Sequence, residues 1–259
     1  MVRSNGCDPK DKFTGLAALY DQARPGYPSY ALAALLSHCG LSEGSTLVDV
    51  GCGTGIASRA FAELGMKVIG VEPNDDMRTV AESYNQGLTG ACPSYRKGNA
   101  EATGLPPEST DVVAAAQAFH WFDPEDALVE FRRIVKAGGW VILIWNERQE
   151  TDSFTKSYGD LIRTIPRAST VELDRSKAGA LLLNSKLFVN ATQLNFPNEQ
   201  ILNEAGVIAR AFSSSYAPRE VDKAEELTES LKKLFKSHAY LGEVALKYVL
   251  YVYLAQKPG

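Results

Sequence analysis

The stretch "VDVGCGTGIAS", residues 48–58, places three glycines at alternate positions between an apolar run and a helical pattern. Gly51, Gly53 and Gly55 fall where a strand should end and a helix should begin. A turn of this kind presents backbone N–H groups and the positive end of a helix to a polar or anionic ligand, although glycines can also serve only to make a tight turn. The spacing is GxGxG, whereas the dinucleotide fingerprint is GxGxxG, which argues against a nicotinamide cofactor.

Two carboxylates flank this turn in the predicted sheet. Asp49 lies just before the glycines, and Glu72 ends the next apolar run, 72 − 49 = 23 positions later. A carboxylate at the end of a second strand can accept hydrogen bonds from both hydroxyls of a ribose. The pattern therefore predicts a nucleoside ligand with a short polar tail, either a pyrophosphate or an amino acid.

Strand-like and helix-like patterns alternate through residues 46–146, which predicts a parallel sheet with helices on both faces. The predicted strands are 46–50, 67–72, 94–98, 111–117 and 140–145. The predicted helices follow Gly55, Asn74 and Asp123, with Gly65 ending the first and Gly138-Gly139 ending the third. Further strands at 187–196 and 246–256 would complete a doubly wound, mostly parallel sheet of seven strands, the last of them antiparallel.

We expect a single domain over residues 1–259, with helices gathered over the carboxyl edge of the sheet. Its predicted parts are an N-terminal helical cap (1–45), a cofactor-binding core (46–148), a substrate cap with one core strand (149–240) and a final strand (241–259). The cap should contain two helices broken at "RPGYP", residues 24–28. Beyond the core the sequence predicts helices near 153–165, 198–210 and 219–237, with a polar stretch after the first of them.

The bulk composition excludes several classes of function. The 259 residues carry 27 Lys+Arg and 31 Asp+Glu, so the net charge is −4 and no basic face for nucleic acid is expected. The four cysteines are scattered without metal-ligand spacing, so we expect neither a metal site nor a disulfide framework. The opening "MVRSNGCDPKDKF" lacks an apolar signal core, and no apolar run is long enough to cross a bilayer, so we expect a cytoplasmic protein without a membrane partner.

Five blocks follow one another in a recognisable order: "VDVGCGTG", "VIGVEPNDDM", "GNAEATGLP", "AQAFHWFD" and "EFRRIVKAGGWVILIWNER". This run resembles the class I S-adenosylmethionine-dependent methyltransferases, in the small-molecule branch that carries the type 11 domain. The opening "FTGLAALYDQARPGYP" is similar to the N-terminal cap of that branch. The resemblance covers residues 13–148 well and the last hundred residues only loosely, and it implies a Rossmann-like methyltransferase fold.

The resemblance also implies a cofactor, S-adenosyl-L-methionine, with S-adenosyl-L-homocysteine as its product. Asp49 and the turn of Gly51, Cys52 and Gly53 would face the methionine part, and Glu72 the ribose. The remaining implied cofactor contacts are Pro73, Met77, Asn99, Ala100 and Glu101 around the adenine, and Gln117 at the methionine end. Asn99 stands where many relatives carry Asp. Tyr20 and Arg24 in the cap are candidates to clamp the cofactor's carboxylate, although Arg24 alternatively makes a surface ion pair.

His120 in "FHWFD" is the candidate catalytic residue. It follows the fourth strand, at the edge where ligands bind in such sheets, and imidazole is suited to proton transfer near neutral pH. A hydroxyl acceptor would need such a base. A carboxylate acceptor is already ionised at neutral pH and would need His120 only for positioning. Alternatively, His120 merely caps the next helix. Trp121 is expected in the acceptor pocket and Phe122 in the core. The other candidate substrate contacts are Tyr27, Trp145, Asn146 and Tyr216.

The sequence thus predicts methyl transfer to a small-molecule acceptor, with oxygen of a carboxylate or hydroxyl as the expected target, in a monomer or homodimer. Two alternatives remain at this point. One is a cofactor-binding protein of the same fold that transfers no methyl group, as a regulatory module or a ring-forming catalyst. The other is a nicotinamide-dependent oxidoreductase, which the glycine spacing disfavours.

Overall fold

The computed structural model describes residues 17–85 and 92–259, which form an α/β fold built on one sheet. The part of the predicted cap before residue 17, with Cys7, lies outside these ranges. The strands are β1 (Thr46–Val50), β2 (Lys67–Val71), β3 (Ser94–Arg96), β4 (Thr110–Ala116), β5 (Val135–Arg148), β6 (Val189–Leu202) and β7 (Val244–Gln256). The helices are α1 (Ala17–Ala23), α2 (Ser29–His38), α3 (Ile56–Glu63), α4 (Asp75–Ser83), α5 (Pro124–Ile134), α6 (Ser153–Arg163), α7 (Ala168–Leu183), α8 (Glu204–Phe212) and α9 (Val221–His238).

The seven strands lie in the order β3-β2-β1-β4-β5-β7-β6. Strands β1 to β5 are mutually parallel, and β7 pairs antiparallel with both β5 and β6. The order reverses between β1 and β4, and a reversal of this kind opens a crevice at the carboxyl ends of the strands. The predicted seven-stranded, doubly wound and mostly parallel sheet is confirmed.

Alternate residues of the central strands supply two separate cores, one on each face of the sheet. On one face Val48, Val113 and Leu143 pack with α5 and α7. On the other face, side chains such as Leu47 and Ile142 pack with α2 and α3. Because both faces are covered, these strands are apolar throughout, as their sequence indicated.

A third apolar cluster lies at the carboxyl end of β5, where the register pairs Arg148 with Tyr248. It joins α6, α8 and α9 to the first residues of β7, and Tyr158, Leu231 and Tyr248 are among its fully buried members. The helices of residues 153–238 are therefore anchored beside the crevice. None of the helices in residues 17–85 and 92–259 is long and apolar enough to cross a membrane.

The two helix N-caps predicted in the core are present, whereas one predicted helix end is not. Asn74 caps α4 by accepting a hydrogen bond from the Met77 N–H at 3.0 Å. Asp123 caps α5 by accepting from the backbone of Glu125 and Asp126. Gly138-Gly139 does not end α5, contrary to the prediction: the helix stops at Ile134 and β5 begins at the next residue, because Val135 already pairs with Thr110 of β4.

The last third differs most from the sequence prediction. The predicted polar stretch after α6 is α7, a 16-residue helix whose buried residues include Ala168 at its start and Ala178 and Leu182 in its C-terminal half. The helix predicted from residue 198 begins only at Glu204, since β6 continues to Leu202. Pro197 is tolerated within β6 because β6 is an edge strand, where one N–H needs no partner.

Candidate active site

One cavity lies over the crevice at the carboxyl ends of β1, β2 and β4. It encloses about 1300 Å³ of empty space, including its open mouth. The residues predicted to hold a cofactor all line it: Tyr20, Arg24, Asp49, Gly51, Cys52, Gly53, Glu72, Pro73, Met77, Asn99, Ala100, Glu101 and Gln117. Of the predicted substrate contacts, Tyr27, Trp121 and Asn146 line it as well.

The glycine turn forms the floor of the cavity. Gly51 and Gly53 adopt φ values of +69° and +55°, a region that side chains rarely tolerate. A Cβ on Gly51 would lie 2.7 Å from the Cβ of Ala118, whereas one on Gly53 would meet no atom within 4 Å. The first glycine therefore permits close packing under the floor, and the second leaves open space. Between them, burial raises the pKa of the Cys52 thiol well above its usual range, which keeps it protonated and unreactive.

Asp49 places a carboxylate at this floor and is fully buried. Its Oδ2 accepts a hydrogen bond from Ser58 Oγ at 2.6 Å, while Oδ1 is buried without a hydrogen-bond partner in the described structure. Burial raises the pKa of Asp49 to about 7, against the opposing hydrogen bond from Ser58. A buried carboxylate oxygen without a donor is a site for a ligand N–H, and an ammonium group would also stabilise the charged form.

Glu72 lies across the turn from Asp49, at the end of β2. Its Oε2 accepts from the Gly53 N–H and its Oε1 from the Asn74 N–H, both at 2.9 Å. These two bonds fix the carboxylate, which is 8 % exposed, and each oxygen keeps a second lone pair. Burial nevertheless raises the pKa of Glu72. A fixed carboxylate with two free acceptor positions fits the paired hydroxyls of a ribose.

The neighbouring wall offers an apolar slot with a polar rim. Met77 and Ala100 are 3 % and 2 % exposed and form its apolar side together with Pro73. On the rim, Asn99 Oδ1 accepts from the Ala102 N–H at 2.8 Å, which leaves the side-chain NH₂ for a ligand. Glu101 Oε1 accepts from the Asp123 N–H at 2.9 Å. An adenine, which is flat and apolar with a polar edge, fits this surface.

Gln117 closes the end of the cavity beyond Asp49 with a strained backbone. Its φ is +58° at the end of β4, and such a conformation in a residue other than glycine is uncommon away from functional sites. Its Nε2 lies 3.5 Å from the carbonyl oxygen of Asn146. The Asn146 side chain in turn donates to the Gly26 carbonyl at 3.2 Å and accepts from Asn198 at 2.8 Å. These contacts join the sheet edge to the break between α1 and α2.

The cap residues form the roof. The guanidinium carbon of Arg24 lies 4.6 Å from the centre of the Tyr20 ring, and its Nη2 donates to the Ser213 carbonyl at 3.1 Å. Burial lowers the pKa of Arg24 to about 10, so it remains a cation at neutral pH. Burial also raises the pKa of Tyr27 well above its usual range, which keeps the phenol neutral. The roof therefore presents positive charge, which suits a carboxylate on the ligand below.

Three predicted site residues do not line the cavity. Trp145 is 1 % exposed and packs in the core, with its ring edge on Tyr253. Its Nε1 donates to His120 Nδ1 at 3.4 Å, and His120 is half-buried and does not line the cavity. Tyr216 packs against the third apolar cluster. Trp145 and Tyr216 thus pack in apolar clusters and do not line the cavity, and their contact with substrate stays a prediction.

Several lining residues were missed from the sequence. They are Pro25, Thr54, Ile56, Ala57, Asn74, Ala116, Ala118, Phe122 and Arg210. Phe122 was expected in the core, and it both packs there and faces the cavity. The most consequential omission is Arg210, the one basic residue of the helix "EAGVIARAF" of α8, whose other charge is Glu204 at its first position. A basic residue inside an otherwise apolar helical run was a signal that the sequence carried.

Comparison with known proteins agrees with this geometry. Residues 48–143 match the model of a family described as "Methyltransferase domain". An uncharacterized methyltransferase of Mycobacterium bovis is 32% identical over 161 residues, which cover 60% of this chain and 62% of that protein. A ubiquinone biosynthesis O-methyltransferase of Nitrosomonas europaea is 34% identical over 139 residues, or 50% of this chain and 56% of that one. The chain thus spans about three fifths of the length of these curated relatives.

Similarity of structure extends further than similarity of sequence. A solved structure assigned to a type II methyltransferase of Anaeromyxobacter dehalogenans superposes with a TM-score of 0.63 and 25% identity. The superposition covers 91% of this chain and 97% of that one.

Proposed function

We propose that this chain, whose residues 48–143 are a domain of the class I S-adenosylmethionine-dependent methyltransferase family, transfers a methyl group to oxygen of a small-molecule acceptor. One observation carries the proposal: Asp49 and Glu72 converge on the same cavity with acceptor positions to spare. The unpartnered Oδ1 of Asp49 would receive the ammonium group of the cofactor. The carboxylate of Glu72 would receive its ribose hydroxyls, and Met77 and Ala100 would hold its adenine.

The cofactor supplies a methyl group that is activated on a sulfonium. Transfer by in-line displacement demands alignment and the exclusion of water more than it demands a protein nucleophile. The side chains of Trp121 and Phe122 would provide an apolar wall beside the methyl group. Gln117 and Asn146, which approach each other at the end of β4 and β5, would orient the acceptor.

The acceptor is proposed to be a small molecule because the cavity is roofed by α1 and α8. Arg24 of the roof is bonded to Ser213, just beyond α8, and Gln200 Nε2 donates to the Ala23 carbonyl at 3.1 Å. These bonds leave a mouth rather than an open groove. Oxygen as the target is supported by the N. europaea relative, which is named as an O-methyltransferase.

Isothermal titration with S-adenosylhomocysteine tests the cofactor assignment. We expect binding by the parent protein and weakening of about 1.5–3 kcal/mol in Glu72→Gln, as for a lost hydrogen bond to a charged group. Glu63→Gln is the matched control, because Glu63 is an exposed carboxylate on α3 outside the cavity. NAD should not bind. Equal affinity of S-adenosylhomocysteine for the parent and for Glu72→Gln would contradict the proposed contact between Glu72 and the ribose. Absence of S-adenosylhomocysteine binding to the parent would refute the proposed function.

A further inference from the structure

Two arginines face the same cavity without an acidic partner among the described side chains. Arg24 lies on the roof after α1, and Arg210, which is 6 % exposed, projects from α8. No carboxylate oxygen whose side chain the structure describes lies within 4.0 Å of either guanidinium. Arg210 Nε donates to the hydroxyl of Tyr248 at 3.0 Å, which holds the side chain in place, and the charge of Glu147 acts on Arg210 without forming an ion pair.

Two arginines of this region that do not line the cavity are neutralised by ion pairs. Arg148 is paired with Glu172, and Arg163 is paired with Glu150 at 2.6 Å. Buried cations are rarely left without a counterion, because removing a charge from water is costly. The contrast indicates that the two cavity arginines receive negative charge from ligands.

The proposed cofactor carries one carboxylate, and Arg24 is placed to receive it. Arg24 lies beside Tyr20 on the roof, whereas Arg210 lies on α8, in the segment that follows β6. One buried cation therefore remains for a second anion. Among the described residues no histidine lines the cavity, and Asp49 is engaged by the cofactor in the proposed function. An acceptor that must lose a proton would therefore find no imidazole base in the lining.

We propose that the methyl acceptor is a small organic carboxylate, bound as the anion by Arg210. This inference rests on the proposed function. One oxygen of the acceptor carboxylate accepts from the guanidinium of Arg210. The other oxygen forms a bond to the methyl carbon while the bond between that carbon and sulfur breaks. The electron pair of the broken bond stays on sulfur. No proton is transferred, and an anion and a sulfonium cation become a neutral methyl ester and a neutral thioether.

The charge change also gives the site a means of product release. An ester cannot form the charge-assisted hydrogen bond that its parent acid forms with a guanidinium. The product should therefore bind to Arg210 more weakly than the substrate. The same property provides a test that needs only matched pairs of acids and neutral derivatives.

Binding of such pairs to the protein saturated with S-adenosylhomocysteine tests the inference. The probes are benzoate, phenylacetate, succinate and glutarate, each with its methyl ester and its amide, measured by calorimetry. We expect at least one acid to bind about 10- to 100-fold more tightly than its ester and amide. Arg210→Met should abolish this preference while the affinity for S-adenosylhomocysteine stays within about twofold, and Arg210→Lys should restore part of it.

Two controls separate this result from a general loss of structure or charge. Arg132→Met removes a half-buried arginine that donates to the Leu187 carbonyl at 3.0 Å, away from the cavity, and should keep the preference. Tyr248→Phe removes the partner of Arg210 Nε and should reduce the preference without removing it. The inference is overturned if no acid binds, if esters or amides bind as tightly, if a phosphate monoester such as phenyl phosphate binds instead, or if Arg210→Met keeps the preference. In each of these cases S-adenosylhomocysteine still binds, whereas failure of the proposed function abolishes that binding.

Discussion

Replacing Asp49 by Asn should make the empty protein more stable at alkaline pH. Burial raises the pKa of Asp49 from 3.8 to about 7. Below about pH 4 the carboxyl is protonated in both the folded and unfolded states. As pH rises from about 4 to 7 only the unfolded state ionises, so the free energy of unfolding falls, and above pH 7 the loss is complete. A shift of about three units corresponds to about 4 kcal/mol.

Asparagine cannot ionise, and its amide oxygen can still accept the hydrogen bond from Ser58 Oγ, which measures 2.6 Å to Asp49. Urea unfolding of the parent and Asp49→Asn at pH 4.5, 6 and 8 measures the effect. We expect the stability difference to shift towards the variant by about 3 kcal/mol between the lowest and highest pH, an upper value for a site that water can enter. Parallel stability profiles for the two proteins would refute the raised pKa.

The same carboxylate should couple ligand binding to proton release. At pH 6 the empty site is largely protonated, and an ammonium at Asp49 Oδ1 favours the ionised form. Binding of S-adenosylhomocysteine at pH 6 should therefore release close to one proton from Asp49. Calorimetry in buffers of different ionisation enthalpy measures this number, and Asp49→Asn should release fewer protons and bind more weakly. A proton count that is equal in the two proteins would place the ammonium elsewhere.

Three further predictions concern the floor, the histidine and the roof. Gly51→Ala should lower the free energy of unfolding, measured in urea, by roughly 1–3 kcal/mol more than Gly53→Ala does. Both positions need a positive φ, but only a Cβ on residue 51 would lie 2.7 Å from Ala118. Equal losses in the two variants would contradict this packing. His120→Gln should keep the affinity for S-adenosylhomocysteine and the pH profile of kcat/KM, since His120 does not line the cavity. If the parent shows a rise of kcat/KM near pH 6.5 that the variant loses, His120 acts as a base. Hydrogen exchange around Arg24 should slow when S-adenosylhomocysteine binds, and unchanged exchange would exclude ordering of the roof by ligand.

The core was predictable because its signals are local. The strands that carry Asp49 and Glu72 are short apolar runs, and the caps at Asn74 and Asp123 act on N–H groups two or three residues away. The first turn of each βα unit fixes the position of a ligand in this type of sheet. Sequence spacing could therefore predict that the glycine turn, Asp49 and Glu72 lie together, as they do in the lining of one cavity.

Helix α7 escaped prediction for a physical reason. Its buried residues include the small Ala168 and Ala178 beside Leu182, and a Cβ on Gly179 would lie 2.5 Å from the Tyr253 ring. Close approach of a helix through alanine and glycine leaves little apolar periodicity to detect. Contacts across the roof are equally hidden: Arg24 bonds a carbonyl 189 positions away, and no local pattern encodes that pairing.

The end of β5 illustrates a different limit. Neighbouring side chains of a strand point to opposite faces, so Trp145 and Asn146 cannot contact the same ligand equally. Trp145 enters the core that α5 and α7 cover, and Asn146 faces the cavity. The sequence predicted that Trp145 and Asn146 lie at the carboxyl edge of the sheet. Which of the two side chains faces the cavity depended on the full register of β5 with β7.

The strand order β5-β7-β6 has a consequence for how the protein is made. Strand β5 ends at Arg148, and its antiparallel neighbour β7 begins at Val244, 244 − 148 = 96 positions later. At translation rates of about 5–20 residues per second, the ribosome takes about 5–20 s to supply that neighbour. During this interval the apolar β5 edge of the nascent chain is open to pairing with other chains. Synthesis, rather than the finished fold, is therefore the stage at which this protein most needs a chaperone.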